Sequence, residues 1–250
     1  MALIETEALV LKSYGLSEAD KIIVLLTRDH GLVRGVAKGA KRLKSRFGSS
    51  LEPFSVIRVA YFQKDQQELV SIKGSELLQS FFDRASDPLF LQKFAYIAEL
   101  LTEFAPPSDP NERLFKMARV CLETSVEGAE DLDQILLYFE LWLLKLGGYL
   151  PSWDRCDECG TEFSQGEKAS LQINFHLLCQ RCARTRTSRI VEADEREIFR
   201  LAQKASPTRF IEETTGKRQL VRDLSGVLRR IIAGILGRDS HEERILAAIY

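Results

Sequence analysis

Hydrophobic positions follow two regimes along the chain, and the change comes near Asp83. Before it, apolar residues alternate with polar ones or come in short runs, over residues 7–11, 21–27, 32–37, 54–62 and 68–78. Tyr14-Gly15 and His30-Gly31 mark turns between them. Short runs rich in β-branched and aromatic residues, punctuated by turns, predict strands. Five such strands predict a small all-β domain over residues 1–80. A partly open barrel of the oligonucleotide/oligosaccharide-binding (OB) kind fits both the strand number and the length.

After Asp83 the period becomes helical. Asp87-Pro88 reads as an N-cap and first helical position, and Leu89, Phe90, Phe94, Ile97, Leu100, Leu101 and Phe104 recur at helical spacing. APPSDP at 105–110 is a break. A second helix is predicted over 112–124, with Leu114, Phe115, Ala118 and Cys121 on one face. A third starts near Asp131 and stops at Gly147-Gly148. Its apolar residues (Ile135, Leu136, Leu137, Phe139, Leu141, Trp142, Leu143, Leu144) surround it, which predicts a buried central helix. Further helices are predicted over 194–204 and 217–236. The fold class is therefore α+β: an N-terminal β-barrel, then a helical domain over 81–150 and 190–250, with a cysteine module inserted over 151–189.

That module holds Cys156, Cys159, Cys179 and Cys182, two C-x2-C pairs separated by nineteen residues. The spacing falls in the range of zinc sites. Two cysteines three apart on a tight turn aim both sulfurs at one point, and two such turns supply a tetrahedral S4 set. Four thiolates leave no position for water or substrate, so one structural Zn2+ per chain is predicted. The competing readings are two disulfides or four free thiols. Nothing marks the chain as secreted: MALIETEALVLKSYG lacks a basic start followed by an apolar run. The most apolar stretch, 135–150, is interrupted by Glu140 and Lys145 and is too short to span a bilayer. These features predict a cytoplasmic protein with reduced thiols and no membrane association, which favours metal over disulfide. Cys121, in an apolar helical stretch, reads as a small buried hydrophobe.

The 250 residues carry a formal net charge of −1, so nucleic-acid binding has to come from a local patch. One exists. Arg34, Lys38, Lys41, Arg42, Lys44 and Arg46 lie within thirteen positions that hold no acidic residue. Gly35, Gly39, Gly48 and Ser45, Ser49 and Ser50 make the stretch loop-like. Cations on a loop beside an OB-type barrel match a phosphate backbone, with binding driven by counterion release. A solvated charge cluster is the plainer alternative. Phe47, Phe54, Tyr61 and Phe62 are candidates for base stacking, although strand aromatics more commonly pack in a core. A second cluster, Arg181, Arg184, Arg186 and Arg189, reads either as an extension of the DNA-binding face or, the favoured reading, as a solvated rim of the cysteine module. A third, Lys217, Arg218, Arg222, Arg229 and Arg230, lies on the last helix. Arg218, Arg222 and Arg229 share a face there. That face is compatible with receiving an acidic peptide, or is simply the charged side of an amphipathic helix. No nucleophile motif and no phosphate-cradling G-x-x-x-x-G-K-[ST] is present. His30, His176 and His241 are far apart, and the reading is of a protein that is not an enzyme.

Two segments carry a resemblance. ETEALVLKSYGLSEADKIIVLLTRDHGLVRGVAKGAKRLKSRFGSSLEPFSVIRV resembles the N-terminal part of the RecO family of bacterial recombination mediators. LLYFELWLLKLGGYLPSWDRCDECG resembles that family's central helix leading into its cysteine module. The resemblance covers most of residues 1–240. It implies an N-terminal OB-fold, a helical domain and a zinc module. It also implies binding of single- and double-stranded DNA, annealing of complementary strands, and loading of RecA recombinase, together with RecR, onto DNA covered by single-strand DNA-binding protein. The acidic C-terminal tail of that protein is an implied contact, and a nucleoid-associated location in the bacterial cytoplasm follows. Lys38, Lys41, Arg42, Lys44 and Arg46 match the basic loop of the OB domain, and the four cysteines match the metal ligands. The contrasting reading is a zinc-ribbon interaction or regulatory protein with no annealing activity.

Overall fold

The first strand, β1 (Ala2–Gly15), is long because it serves two neighbours. Its first half pairs antiparallel with β4 (Val56–Gln63) and its second half with β2 (Lys21–Thr27), with a bulge between Val10 and Lys12. A bulge bends a strand and raises its twist, which lets one strand turn a barrel corner. These features come from a computed structural model that describes residues 2–63, 68–81, 83–107, 109–150, 153–172, 176–183 and 189–237. The chain divides into two compact units, Met1–Thr124 and Ser125–Tyr250.

In the first unit, β3 (Gly31–Ala37) and β5 (Leu69–Gln79) complete a closed barrel in the order β1-β2-β3-β5-β4. Closure comes from the parallel pairing of Arg34–Ala37 with Leu69–Ile72. This is the OB-like barrel anticipated from the strand pattern. Period-two alternation sends Ala8, Val10, Ile23, Leu25, Ile57, Val59, Tyr61, Val70 and Ile72 inward. On β1 and β2 the outward positions Leu9, Leu11, Val24 and Leu26 are buried too. The reason is α1 (Pro88–Phe104), which packs on the outside of these two strands. Burial on both sides explains why β2 reads as an unbroken apolar run.

The Asp87 side chain accepts a hydrogen bond from Leu89 N at 2.9 Å, and Pro88 opens α1 as its sequence predicts. Phe90 and Phe94 stack on that helix at 4.2 Å between ring centres, and Phe54 meets both edge-on. Phe54 holds φ +65, a left-handed conformation that a phenylalanine adopts only when its surroundings compensate. Its buried aromatic contacts and the bond from its N–H to Val10 O supply that compensation. The helix α2 (Glu112–Glu123) is capped by Asn111, and Arg84 donates to the carbonyls of Leu122 and Thr124 at its C-terminal end. Gly31 has φ +63, and a Cβ there would lie 2.4 Å from the Asp109 carbonyl oxygen, so only glycine fits.

In the second unit, α3 (Ala129–Leu146) is buried on nearly every side, as its all-round apolar pattern predicts. Each fully buried leucine or phenylalanine on it contributes about 1.5–3 kcal/mol. Most of its buried polar groups find partners, although Gln134 Oε1 has none among the described residues. Gln134 donates to Thr214 Oγ1 at 3.0 Å, Tyr138 Oη to Ala205 O at 3.1 Å and Trp142 Nε1 to Ala202 O at 2.9 Å. Those partners belong to α4 (Ala193–Lys204) and its C-cap Ala205, and to α5 (Pro207–Thr214). Glu140 accepts from Ser225 Oγ and Arg229 Nε on α6 (Arg218–Ile235). The helix α5 was not anticipated. Only eight residues long, it is announced by a Ser206 cap before Pro207. Between α3 and α4 lies a three-stranded sheet, β7-β6-β8, from β6 (Ala169–Leu171), β7 (Leu177–Leu178) and β8 (Arg189–Val191).

Candidate metal centre and nucleic-acid interface

Two tight turns build the cysteine cluster. In the first, Gly160 N donates to Cys156 O at 2.9 Å, Cys156 N donates to Thr161 O at 2.9 Å, and Gly160 takes φ +69 to close the turn. In the second, Cys182 N and Ala183 N both donate to Cys179 O. Asp157 ties the turns together. Its carboxylate accepts from Leu177 N at 2.6 Å while its own N–H donates to Leu177 O. As a result the sulfurs of Cys156, Cys159, Cys179 and Cys182 all lie within 4.8 Å of one another. A tetrahedron of Zn–S bonds of about 2.3 Å requires sulfurs about 3.8 Å apart, and Cys159 and Cys179 stand at 3.9 Å. All four are free thiols, so neither disulfide pairing occurs.

Two of the thiols are shifted in opposite directions. Hydrogen bonding with Thr161 draws Cys159 down to about 6, while hydrogen bonding with Cys179 pushes Cys182 up to about 12. A divalent cation bound by four sulfurs would stabilise all of them as thiolates. The donor set and spacing fit a closed S4 metal site. Its effect would be to cross-link the two turns through the buried Cys156 and Cys179. The fifth cysteine, Cys121, is fully buried, and burial pushes its thiol up to about 12, so it behaves as an inert core residue.

The basic segment splits between strand and loop. Arg34 is an exposed residue of β3, whereas Lys38, Lys41, Arg42, Lys44 and Arg46 occupy the connection from β3 to β4. That connection is ordered by consecutive turns: Arg42 N donates to Gly39 O, Ser45 N to Arg42 O, and Ser50 N to Phe47 O. Phe47 and Leu51 plug into the barrel core. A clamp joins the loop to the β1–β2 turn. Lys41 N donates to Ala19 O at 2.9 Å, Lys41 Nζ to Ser17 O at 2.7 Å, and Gly39 N to Asp20 Oδ1 at 2.8 Å. Asp20, Lys38, Gly39, Arg42, Lys44, Ser45 and Arg46 line an open concavity of about 530 Å³. Among the described residues, none of the six cations forms an ion pair.

Three of the four stacking candidates fail. Phe47, Phe54 and Tyr61 are core residues, with Arg46 lying 4.9 Å over the Phe47 ring. Phe62 is half-buried, with Lys73 over its ring. Arg184, Arg186 and His241 lie outside the described residues. On α6, Val221, Leu224, Val227, Leu228, Ile231 and Ile232 face the core. Arg218 is exposed at the start of the helix, Arg222 Nε is 3.5 Å from Asp133, and Arg229 Nε is 3.2 Å from Glu140. The contributions of Ser17, Ala19 and Asp20 were not legible in the sequence, because the bonds run across the barrel mouth.

Residues 1–81 match the family model described as Recombination protein O N terminal, and residues 92–244 the one described as Recombination protein O C terminal. The chain belongs to the RecO family. The DNA repair protein RecO of Koribacter versatilis is 35% identical over 158 residues, 63% of this chain and 64% of that protein. The one from Geobacter metallireducens is 35% identical over 179 residues, 72% of each. The one from Myxococcus xanthus is 30% identical over 236 residues, 94% of this chain and 93% of that protein. The RecO match thus covers both the barrel with its basic loop and the unit that carries the cysteine cluster. Among the described residues, no helix is long and apolar enough to cross a membrane.

Proposed function

We propose that this RecO chain is a non-enzymatic recombination mediator. It binds single- and double-stranded DNA through Lys38, Lys41, Arg42, Lys44 and Arg46, with Arg34 beside them. It anneals complementary strands and, with RecR, loads RecA onto DNA coated by single-strand DNA-binding protein. The observation that carries this reading is the ring of exposed cations around one concavity at the mouth of an OB-like barrel. Such a surface neutralises backbone phosphates irrespective of sequence, as a protein that must pair any strand with its complement requires. Lowering the charge repulsion between two strands on one cationic surface favours their meeting.

In this reading the four cysteines hold one structural zinc ion per chain, which keeps the module 151–189 folded and takes no part in DNA contact. Arg218, Arg222 and Arg229 form the contact for the acidic C-terminal tail of single-strand DNA-binding protein, with Arg222 exchanging Asp133 for a tail carboxylate. The protein works in the cytoplasm at the nucleoid. The test is annealing of complementary oligonucleotides precoated with single-strand DNA-binding protein. Acceleration by the chain supports the reading, and DNA or tail binding without acceleration favours a zinc-ribbon interaction protein.

A further inference from the structure

The β3–β4 connection carries one side chain that neither the fold nor phosphate contact uses. Leu43, between Arg42 and Lys44, is 102% exposed, while the next most exposed large hydrophobe among the described residues, Leu3, stands at 54%. Scattered exposed leucines are ordinary. The setting of this one is not. Phe47 and Leu51 anchor the loop in the barrel core, and the Lys41 and Gly39 bonds fasten it to the β1–β2 turn. A loop held at both places presents Leu43 to solvent in a fixed position, so little ordering cost remains when something packs against it. On the other side of the clamp, the residue before Ser17 is Leu16, 49% exposed, and Ser17 O is the acceptor of Lys41 Nζ. The Lys41 clamp thus joins two segments that each carry an exposed leucine, next to cations that form no ion pair among the described residues.

The occupant has to be polyanionic and also offer apolar surface at the same place. Unstacked nucleotides do both, with phosphates outside and base faces between them. In a duplex those faces are covered by stacking. We propose that Leu43, assisted by Leu16 on the clamped β1–β2 turn, packs on base faces of single-stranded DNA whose phosphates the loop cations hold. This rests on the basic-loop reading above and adds a contact that recognises the unpaired state.

The test uses the full chain with oligothymidylate and with an abasic strand of equal length, which keeps the phosphates and lacks the bases. Replacing Leu43 with alanine should weaken oligothymidylate binding about three- to tenfold, a fraction of the transfer free energy of a leucine side chain. Binding to the abasic strand should not change, and Leu43→Phe should restore the lost affinity. If Leu43→Ala weakens both strands equally, or neither, the base contact is refuted while the basic-loop reading stands. If replacing Lys41, Arg42, Lys44 and Arg46 together by alanine leaves abasic-strand binding unchanged, the basic-loop reading falls and takes this contact with it.

Discussion

Replacing Lys41, Arg42, Lys44 and Arg46 together by alanine removes four exposed cations of the β3–β4 connection, three of which (Arg42, Lys44 and Arg46) line one concavity at the barrel mouth. Each phosphate contact releases counterions, and on single strands each contributes about 0.7 to the slope of log affinity against log salt. Four contacts give a slope loss of about 2.8. Between 50 and 200 mM salt, log salt rises by about 0.6, so the parent's affinity advantage over the variant should shrink about fiftyfold. Two of the four side chains already have neutral neighbours. Lys41 Nζ donates to Ser17 O, and Arg46 lies over Phe47. Neither neighbour cancels charge, and both groups stay within a Debye length of about 10 Å of a strand in the concavity. Sequence preference should hardly change, because phosphate contacts carry no base information. Fluorescence anisotropy on several oligonucleotide sequences, each titrated over that salt range, measures both quantities. A variant whose slope matches the parent's would show the run to be a solvated loop, and a variant that changes sequence preference would show base readout that the surface does not account for.

Two further predictions concern the second unit. Protein purified without chelator should hold about one zinc per chain, and structural zinc in small modules is worth on the order of 10 kcal/mol. Chelation, Cys156→Ser or acidification that protonates the thiolates should release it and raise amide exchange in the module between α3 and α4. Elemental analysis and hydrogen exchange check this, and metal-free protein with unchanged melting would refute it. A peptide of the acidic tail of single-strand DNA-binding protein should bind with salt-weakened affinity, and Arg222→Glu should reduce it. Arg222 is the clean position because Arg229 faces the buried Glu140, where charge reversal would damage the fold. Unchanged peptide binding by Arg222→Glu would show that the tail binds elsewhere than on this face.

Hydrophobic periodicity carried the architecture well where a pattern had one cause. The all-round apolar face of residues 132–144 marked a central helix, and α3 is one. The unbroken run of β2 was legible as a strand, while its reason, burial against α1 as well as inside the barrel, was not. The sequence placed the first strand from Glu7, because Leu3 and Ile4 among glutamates lack a clean period. In the structure Ala2–Leu9 is held by pairing with β4, a contact about fifty residues away. The parallel β3–β5 closure leaves no local signature either. α5 had its Ser-Pro cap in plain view but is too short for its period to stand out. The cysteine cluster followed from spacing alone, since two knuckles impose their own geometry. The basic loop's order did not, because it depends on Phe47 and Leu51 in the core and on Ser17, Ala19 and Asp20 across the barrel mouth. Phe47, the nearest stacking candidate, was needed for that anchoring.

A mediator of this kind must pair complementary strands, and strand annealing measures that activity. Complementary oligonucleotides coated with single-strand DNA-binding protein are mixed with and without the full chain, and duplex formation is followed by fluorescence energy transfer. The chain should accelerate annealing, raised salt should diminish the acceleration, and the four-alanine loop variant should lose most of it. A chain that binds DNA and the tail peptide yet leaves the annealing rate at its spontaneous value would be a binding protein and not a mediator of annealing.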